Sequence, residues 1–239
     1  MPSLLVIIPA YNEEDCIGAV VHDAQEVLDA DVAVIDDGST DATATRARAA
    51  GARVLSLPYN LGVGGAIRTG LRYAQDRGYS RVVQLDGDGQ HEAAEAKRLL
   101  DELDDSGADF VVGARFANGY EVGRSRRLAM RALSGIVSRR LRTRITDTTS
   151  GFRAMGPRAI DLFARHYPVD YLSDTVEALL LAGEADLRVG EVDVRMRLRQ
   201  GGRASTSSLR SLYHLGRLLF VIVVREIVRR PAGRGEEER

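Results

Sequence analysis

The chain has 239 residues, of which 44% are hydrophobic and 28% charged, a composition typical of one folded domain or of a domain with a short appendage. A single cysteine, Cys16, excludes an internal disulfide, and residues 1–8 lack the basic start of a signal peptide. The longest apolar run, residues 218–224, is too short to span a bilayer, so we expect a cytoplasmic protein.

The net charge of −1 conceals a strong segregation of charge along the chain. Residues 1–110 carry 20 acidic and 9 basic side chains, whereas residues 111–239 carry 14 acidic and 24 basic ones. An acidic first part can hold a cation. A basic second part favours an anionic partner such as a phosphate, a nucleic acid or a membrane surface.

Up to residue 115, short apolar runs alternate with segments of helical periodicity. The runs lie at 4–8, 32–35, 54–57, 82–85 and 110–112, and the helical segments lie at 14–29, 41–50, 63–77 and 92–106. Strands that alternate with helices at this spacing predict an α/β protein with a mostly parallel sheet flanked by helices.

Beyond residue 115 the pattern changes. Residues 115–145 carry nine arginines against one acid and predict a loop followed by a helix near 126–142. A turn and short strand near 148–155, a helix near 173–183 and an extended stretch near 187–197 follow. We expect one domain over 1–205, an amphipathic helix over 206–230 and a disordered tail over 231–239.

Three polar clusters each follow a predicted strand. They are PAYNEE at 9–14, DDGSTD at 36–41 and DGDGQH at 86–91. Because ligands of parallel sheets bind beyond the carboxyl ends of the strands, one edge of the sheet should collect all three clusters.

The third cluster contains two carboxylates, Asp86 and Asp88, interleaved with glycines. Mg²⁺ and Mn²⁺ prefer oxygen ligands and share their coordination shell with substrate phosphates, so this turn can bind a divalent ion. Gln90 or His91 could complete the shell. The alternative is a solvated turn, because Asp and Gly are common turn residues.

The first two clusters suit a nucleotide. Asp36 or Asp37 can accept a hydrogen bond from a base N–H or a ribose hydroxyl, and Tyr11 and Asn12 can stack on and hydrogen-bond to a base. A tyrosine at this position can equally serve packing, and Asp41 is either a ligand or a helix cap.

The glycine-rich segment 60–66 matches G-x-G-x-x-G at Gly62 and Gly64, but Ile67 occupies the third glycine position. The segment also follows the third strand rather than the first, so close helix packing is the better interpretation. The chain has no G-x-x-x-x-G-K-[ST] motif, and its four histidines lack the spacing of a zinc site.

The three clusters, in this order and spacing, resemble those of family-2 glycosyltransferases of the GT-A fold, and so does TSGFRA at 149–154. The segment EVDV at 191–194, followed by Arg199 and Gly202, is similar to a segment of the dolichyl- and polyprenyl-phosphate sugar synthases. The resemblance covers about residues 3–205 and implies a Rossmann-like GT-A domain.

The resemblance also implies roles for individual residues. The donor would contact Pro9, Tyr11, Asn12, Glu13, Asp36, Asp37, Asp86 and Arg115. The metal, Mg²⁺ or Mn²⁺, would be bound by Asp86, Asp88 and Gln90. The implied catalytic set is Asp88 with the arginines Arg126, Arg127 and Arg199. One or both of Arg126 and Arg127, together with Arg115 and Arg199, would face the donor and acceptor phosphates.

The implied activity is metal-dependent, inverting transfer of a sugar from a nucleotide-diphosphate sugar to a polyprenyl or dolichyl phosphate at the inner face of the cell membrane. The helix over 206–230 has a basic stripe and an apolar face. We expect it to bind the membrane surface or a small membrane-protein partner, or to pack within the protein or a homo-oligomer. We expect no nucleic-acid partner, because few aromatic residues interrupt the arginines.

Two alternative functions stay open. Transfer to a hydroxyl of a saccharide or small molecule would need a carboxylate base, and Asp174 and Glu177 are the candidates. The pattern around both residues, however, favours polar positions on an exposed helical face. The non-enzymatic alternative is a nucleotide-sugar-binding partner subunit, against which the intact Asp86 and Asp88 argue.

Overall fold

The computed structural model describes residues 3–115, 124–169 and 174–197, with the backbone alone for 124–129. Arg199, the helix predicted over 206–230 and the tail predicted over 231–239 lie outside the described residues. The same holds for the side chains of Arg126 and Arg127, whose backbone belongs to a helix. The predictions on these parts of the chain stay predictions.

Strands and helices alternate through the described residues. The strands are β1 Leu4–Ala10, β2 Asp31–Asp36, β3 Arg53–Ser56, β4 Arg81–Gln84, β5 Phe110–Ala114, β6 Arg153–Met155 and β7 Val189–Asp193. The helices are α1 Ile17–Leu28, α2 Thr43–Ala49, α3 Val63–Arg77, α4 Ala93–Asp105, α5 Arg124–Leu141, α6 Pro157–His166 and α7 Asp174–Glu184.

The strands form one sheet in the order β3-β2-β1-β4-β6-β5-β7. Neighbouring strands are parallel, except that β6 runs antiparallel to both β4 and β5. Arg153, the first residue of β6, lies opposite Gln84, the last residue of β4. The parallel strands therefore end at one edge of the sheet, and β6 begins at that edge. The predicted mostly parallel α/β sheet is confirmed.

The central strand β1 is covered on both faces. Val6 and Ile8 belong to a buried cluster that includes apolar residues of α1 and α4. On the other face, the α3 residue Gly70 lies close to the side chain of Ile7. A strand buried on both sides needs an unbroken apolar run instead of an alternating pattern, which explains the sequence of β1.

The observed helices begin and end within three residues of the predicted bounds, but α6 was not predicted. Its sequence does carry signals: Pro157 starts the helix, where proline is favoured, and Ile160, Phe163 and Ala164 are buried at helical spacing. None of the helices in the described ranges is long and apolar enough to cross a bilayer.

Candidate active site

Side-chain hydrogen bonds join the loops that follow β1 and β2. Asn12 has a left-handed backbone (φ 55°), and its side-chain oxygen accepts a hydrogen bond from the Thr40 N–H at 2.9 Å. The Asn12 N–H donates to Ser39 Oγ at 3.0 Å, and the Glu13 N–H donates to Thr43 Oγ1 at 2.8 Å. The first two predicted clusters therefore form one preorganised surface.

Two side chains on this surface have the character that a nucleotide requires. Tyr11 is 48% exposed, so its side chain is accessible to a ligand at this edge. Asp36 is buried, and its Oδ1 accepts a hydrogen bond from the Ser39 N–H at 3.0 Å. Pro9 lies partly buried in β1. These residues share the carboxyl edge of the sheet, and their donor contacts stay predictions.

Asp37 has a structural task in addition to its predicted contact with the donor. Its Oδ1 accepts a hydrogen bond from the Leu61 N–H at 2.7 Å, and its Oδ2 accepts one from the Gly62 N–H at 2.9 Å. Burial raises the pKa of Asp37, the two amides counteract this, and the charge of Asp36 raises the pKa further. Asp37 thus holds the loop before α3 against the end of β2.

Glycines allow the backbone to approach closely beside this loop. Gly38 has a φ of 74°, and a Cβ there would lie 2.8 Å from the Asn60 nitrogen. A Cβ on Gly64 would collide with the Pro168 carbonyl oxygen. The interpretation of segment 60–66 as a site of close helix packing is therefore confirmed.

The two carboxylates of the third cluster lie just beyond β4, next to the loop that follows β1. The Asp86 side chain is 40% exposed, whereas Asp88 is 8% exposed. Asp88 Oδ1 accepts a hydrogen bond from the Gln90 N–H at 3.1 Å. A Cβ on Gly87 would lie 3.3 Å from the Pro9 carbonyl oxygen, so the turn that carries both carboxylates packs tightly on β1.

His91 is buried directly behind this turn. Its Nδ1 accepts a hydrogen bond from the Asp86 N–H at 2.9 Å, and its Nε2 lies 3.6 Å from Asp86 Oδ2. Burial lowers the pKa of His91, although the charges of Asp86 and Asp88 oppose this. Both ring nitrogens of His91 thus face Asp86. Gln90 and His91 were the two candidates for completing a metal shell, and this arrangement favours Gln90.

The residues present fit a divalent cation that shares its shell with a substrate. Among the described residues, no three His, Cys, Asp or Glu side chains form a metal-binding group. Mg²⁺ usually binds through one or two carboxylates and completes its shell with phosphates and water. Asp86 and Asp88 supply such a pair, and the glycine at 151 leaves room for the Asp86 carboxylate, because a Cβ there would lie 2.9 Å from Asp86 Oδ1.

Arg115, predicted to face phosphates, lies just after β5 and is bound to a buried acid. Its Nε donates to Asp147 Oδ2 at 2.7 Å, its Nη2 donates to Asp147 Oδ1 at 3.1 Å, and Nη2 also reaches Thr149 Oγ1 at 2.7 Å. Burial alone raises the pKa of Asp147, but Arg115 outweighs it and the pKa falls below its usual value. Arg115 keeps 34% of its side chain exposed, so it can still present charge at the edge.

Sequence reasoning missed Asp147, although a signal existed. Asp147 is the single acid between residues 122 and 160, a stretch that is rich in arginine. Its backbone N–H and that of Thr146 donate to Glu191 Oε2 at 3.1 and 2.6 Å, which ties the segment to β7. An isolated acid among many arginines therefore marked a structural ion pair.

Arg153, at the start of β6, is a fully buried cation that was also missed. Its guanidinium donates to the Ser150 carbonyl at 2.9 Å, to Tyr167 Oη at 2.8 Å and to the Thr175 carbonyl at 3.1 Å. These bonds connect the sheet, the end of α6 and the first turn of α7. The conformation of the sheet edge thus depends on a buried arginine.

Asp174, the first residue of α7, is 3% exposed, so the expectation of a solvated position is wrong for this residue. Its Oδ2 accepts no hydrogen bond in the described part of the chain. Burial raises the pKa of Asp174, Arg153 lowers it in part, and Asp86 raises it further. Glu177 is half-buried further along the same helix. The carboxylate of Asp174 therefore lies within electrostatic reach of the Asp86 carboxylate.

The fold and these sequence features agree with the comparisons to known proteins. The family model described as "Glycosyl transferase family 2" matches residues 5–163, and the chain belongs to this family and is a glycosyltransferase. The predicted resemblance is confirmed.

Two curated relatives are enzymes named for lipid phosphates. A UDP-N-acetylglucosamine–dolichyl-phosphate N-acetylglucosaminyltransferase of Methanococcus voltae is 28% identical over 80% of this chain and 84% of its own. An undecaprenyl-phosphate mannosyltransferase of Micrococcus luteus is 35% identical over 67% of this chain and 70% of its own.

Among solved structures, glucosyl-3-phosphoglycerate synthase from Mycobacterium tuberculosis, in complex with Mn²⁺, UDP-glucose and phosphoglyceric acid, superposes with a TM-score of 0.71. It is 23% identical and covers 98% of this chain and 83% of its own. At this identity the likeness shows the fold, which is the predicted GT-A fold.

Proposed function

We propose that this glycosyltransferase moves a sugar from a nucleotide-diphosphate sugar to a polyprenyl or dolichyl phosphate, with Mg²⁺ or Mn²⁺ held by Asp86 and Asp88. The observation that carries the proposal is the pair of carboxylates beyond β4, on the same edge of the sheet as Asp36 and Arg115. The names of the relatives support a lipid phosphate as the acceptor.

The chain's own residues would bind and orient the substrates. Tyr11, Asn12 and Asp36 line the surface proposed for the nucleotide, with Pro9 and Glu13 in the same loop. The metal, when bound, neutralises charge on the diphosphate as it leaves. The donor thus has a preorganised surface formed by three strand ends.

The acceptor phosphate would attack the anomeric carbon directly. One of its oxygens forms the new bond to this carbon, the bond to the donor diphosphate breaks, and the nucleoside diphosphate departs with inversion of configuration. A phosphate monoester with a second pKa of about 6 is largely ionised at neutral pH, so no base is needed. Arg115, Arg126, Arg127 and Arg199 are proposed to hold the phosphates of donor and acceptor, because guanidinium groups match phosphate geometry.

The reaction would take place at the inner face of the cell membrane. We propose that segment 206–230 reaches the membrane surface or a small membrane-protein partner, and that it can also mediate a homo-oligomer. The support is the sequence of that segment, in which a basic stripe accompanies an apolar face. Co-sedimentation of the full chain and of a version ending at residue 205 with anionic vesicles tests this assignment.

The test of the proposed function is an acceptor comparison with the purified full chain. A panel of UDP-, GDP- and dTDP-sugars with Mn²⁺ is first screened by thermal shift, because a bound donor raises the apparent stability. The best donor is then offered with a polyprenyl phosphate, with the matching polyprenol that lacks the phosphate, and with a panel of saccharides. We expect transfer to the phosphate alone and its loss in excess chelator. Transfer to saccharide hydroxyls, with none to the lipid phosphate, would contradict the proposal.

A second candidate function is transfer to a hydroxyl group, and Asp174 favours it. A hydroxyl nucleophile requires a base, and burial raises the pKa of this carboxyl toward the range in which it accepts a proton efficiently. The Asp174→Asn variant separates the two functions. If the acceptor is a phosphate, the variant keeps most of its activity. If the acceptor is a hydroxyl, activity falls about 100-fold or more.

A further inference from the structure

The imidazole of His91 contacts Asp86 through both of its ring nitrogens. Nδ1 accepts a hydrogen bond from the Asp86 N–H at 2.9 Å, and Nε2 lies 3.6 Å from Asp86 Oδ2. Because Nδ1 is an acceptor, the hydrogen of the neutral ring is on Nε2, on the side of the carboxylate. The ring is thus hydrogen-bonded to the backbone of Asp86, and its Nε2–H lies near the carboxylate of the same residue, beyond hydrogen-bond distance.

The ring itself is firmly held. It stacks on Phe152, with 4.7 Å between the ring centroids and 15° between the planes. The backbone of His91 pairs with Met196 in an isolated antiparallel bridge, and the residue is buried. Because the His91 ring is held by Phe152 and by its own backbone, it can restrict the orientation of the Asp86 side chain beside it.

The Asp86 carboxylate also lies close to Gly151. A Cβ at this position would lie 2.9 Å from Asp86 Oδ1 and 3.2 Å from Oδ2. The carboxylate therefore has two close neighbours, the His91 ring and the Gly151 backbone, while 40% of the side chain stays exposed. These two neighbours restrict the positions that the carboxylate can take.

We infer that His91 is a positioning residue, which orients the Asp86 carboxylate for a divalent cation through its Nε2–H. The inference rests on the proposed function in one respect, the binding of the cation by Asp86 and Asp88. Outer-shell partners of a metal ligand typically change metal affinity about 10- to 100-fold when mutated, and a small closure of the 3.6 Å gap when the cation binds would bring Nε2–H within hydrogen-bond distance of Asp86 Oδ2. In this role His91 acts through Asp86 and not on the substrates or the cation directly.

Three substitutions separate positioning from mere packing. In His91→Gln the terminal amide can replace the Nε2 donor, whereas in His91→Asn the shorter side chain can replace the Nδ1 acceptor and leaves the carboxylate without a donor. His91→Phe keeps a flat ring against Phe152 and removes both nitrogens. His166→Gln, at the exposed end of α6, is the matched control.

The measurement is Mn²⁺ titration of the full chain, with free Mn²⁺ counted by electron paramagnetic resonance. We expect His91→Asn and His91→Phe to bind Mn²⁺ about 10- to 100-fold more weakly, His91→Gln to keep most of the affinity, and His166→Gln to match the wild type. Long-range ¹⁵N spectra of the wild type should show the Nε2–H tautomer of His91. Thermal unfolding of each variant identifies those that fold.

Several results would overturn the inference. Wild-type Mn²⁺ affinity in folded His91→Asn, or an Nδ1–H tautomer, contradicts the positioning role. Equal weakening in His91→Gln and His91→Asn would indicate packing instead of a donor. If the wild type and Asp88→Ala both fail to bind Mn²⁺, the proposed metal site and the inference fall together. If Asp88→Ala loses Mn²⁺ and His91→Asn does not, the inference alone fails.

Discussion

The acidic part of the chain before residue 110 and the basic part after it meet at one edge of the sheet. The two parts differ in the kind of group that hydrogen-bonds to their charged side chains. In the acidic part, backbone N–H groups of turns hold the carboxylates of Asp36, Asp37 and Asp88. In the basic part, oxygen atoms hold the guanidinium groups: Asp147 holds Arg115, and backbone carbonyls hold Arg153.

This contrast shows why a count of charges does not identify ligands. The arginines in the second part suggested phosphate binding, yet Arg153 is buried among carbonyls. Arg115 is paired with Asp147 and has 34% of its side chain exposed for a ligand. Of the two carboxylates proposed for the metal, Asp86 keeps 40% of its side chain exposed at the edge. The exposure of a charged side chain, together with its hydrogen-bond partners, therefore indicates whether it can bind a ligand.

The largest effect should come from the acidic part. We expect Asp88→Ala to lower sugar transfer about 1,000-fold or more, because charge that develops on the leaving diphosphate loses its metal. The melting temperature should change little. The matched control is Asp101→Ala, an exposed acid on α4, which should keep full activity. Full turnover of Asp88→Ala in excess chelator would show that the metal assignment is wrong.

The next largest effect should come from the ion pair between Arg115 and Asp147 in the basic part, which contributes to the stability of the fold. Asp147→Asn leaves Arg115 without its buried partner, and we expect a loss of about 3 kcal/mol in the free energy of unfolding, measured by urea denaturation. Asp104→Asn is the control, since Asp104 and Arg81 form an exposed pair at 2.8 Å that should contribute less than about 1 kcal/mol.

The same pair predicts a pH dependence with a defined sign. The folded protein holds the pKa of Asp147 below the usual 3.8, so the ionised carboxylate stabilises the fold at pH values above 3.8. This contribution is lost as the pH falls through the lower pKa of the folded state. Acid unfolding of Asp147→Asn should therefore lack this component, and an unchanged acid transition would contradict the assignment.

A smaller effect is expected from the arginines proposed for the acceptor phosphate. Arg126→Ala, Arg127→Ala or Arg199→Ala should lower transfer roughly 10- to 100-fold, with donor binding reduced much less. Lysine at the same positions should restore part of the rate, because it lacks the two-pronged geometry of arginine. Arg131→Ala, exposed on the same helix as Arg126, is the control. Unchanged rates in all three variants would move the acceptor site elsewhere.

The smallest effect is expected from the packing of α3 on the strands β1 and β2. In Gly70→Ala, the new Cβ would lie 2.9 Å from Ile35 Cδ1 and 3.2 Å from Ile7 Cγ2, and we expect a net loss of about 1 kcal/mol. Gly135→Ala in α5 is the control with the opposite sign, because no atom of the described residues, the helix's own backbone aside, lies within 4 Å of the position of its Cβ. That variant should gain about 0.5 to 1 kcal/mol. Equal changes in the two variants would contradict the packing argument.

The sequence by itself determined the alternation of strands and helices, the three clusters at the strand ends and the family. These features are local: the apolar run of β1 or the turn around Asp86 is legible within a few residues. The glycines near Gly64 were also interpreted correctly, because the spacing departs from a dinucleotide motif within one short segment.

Only the tertiary structure decided how distant residues pair. The insertion of β6 between β4 and β5 places Arg153 opposite Gln84 and brings Gly151 beside Asp86, although about 65 residues separate Gly151 from Asp86 in the chain. Asp174, at the start of α7, is buried within electrostatic reach of Arg153 and Asp86, and Arg115 pairs with an acid 32 residues away. Local periodicity carries no information on such pairings, because they depend on which surfaces the whole sheet brings together.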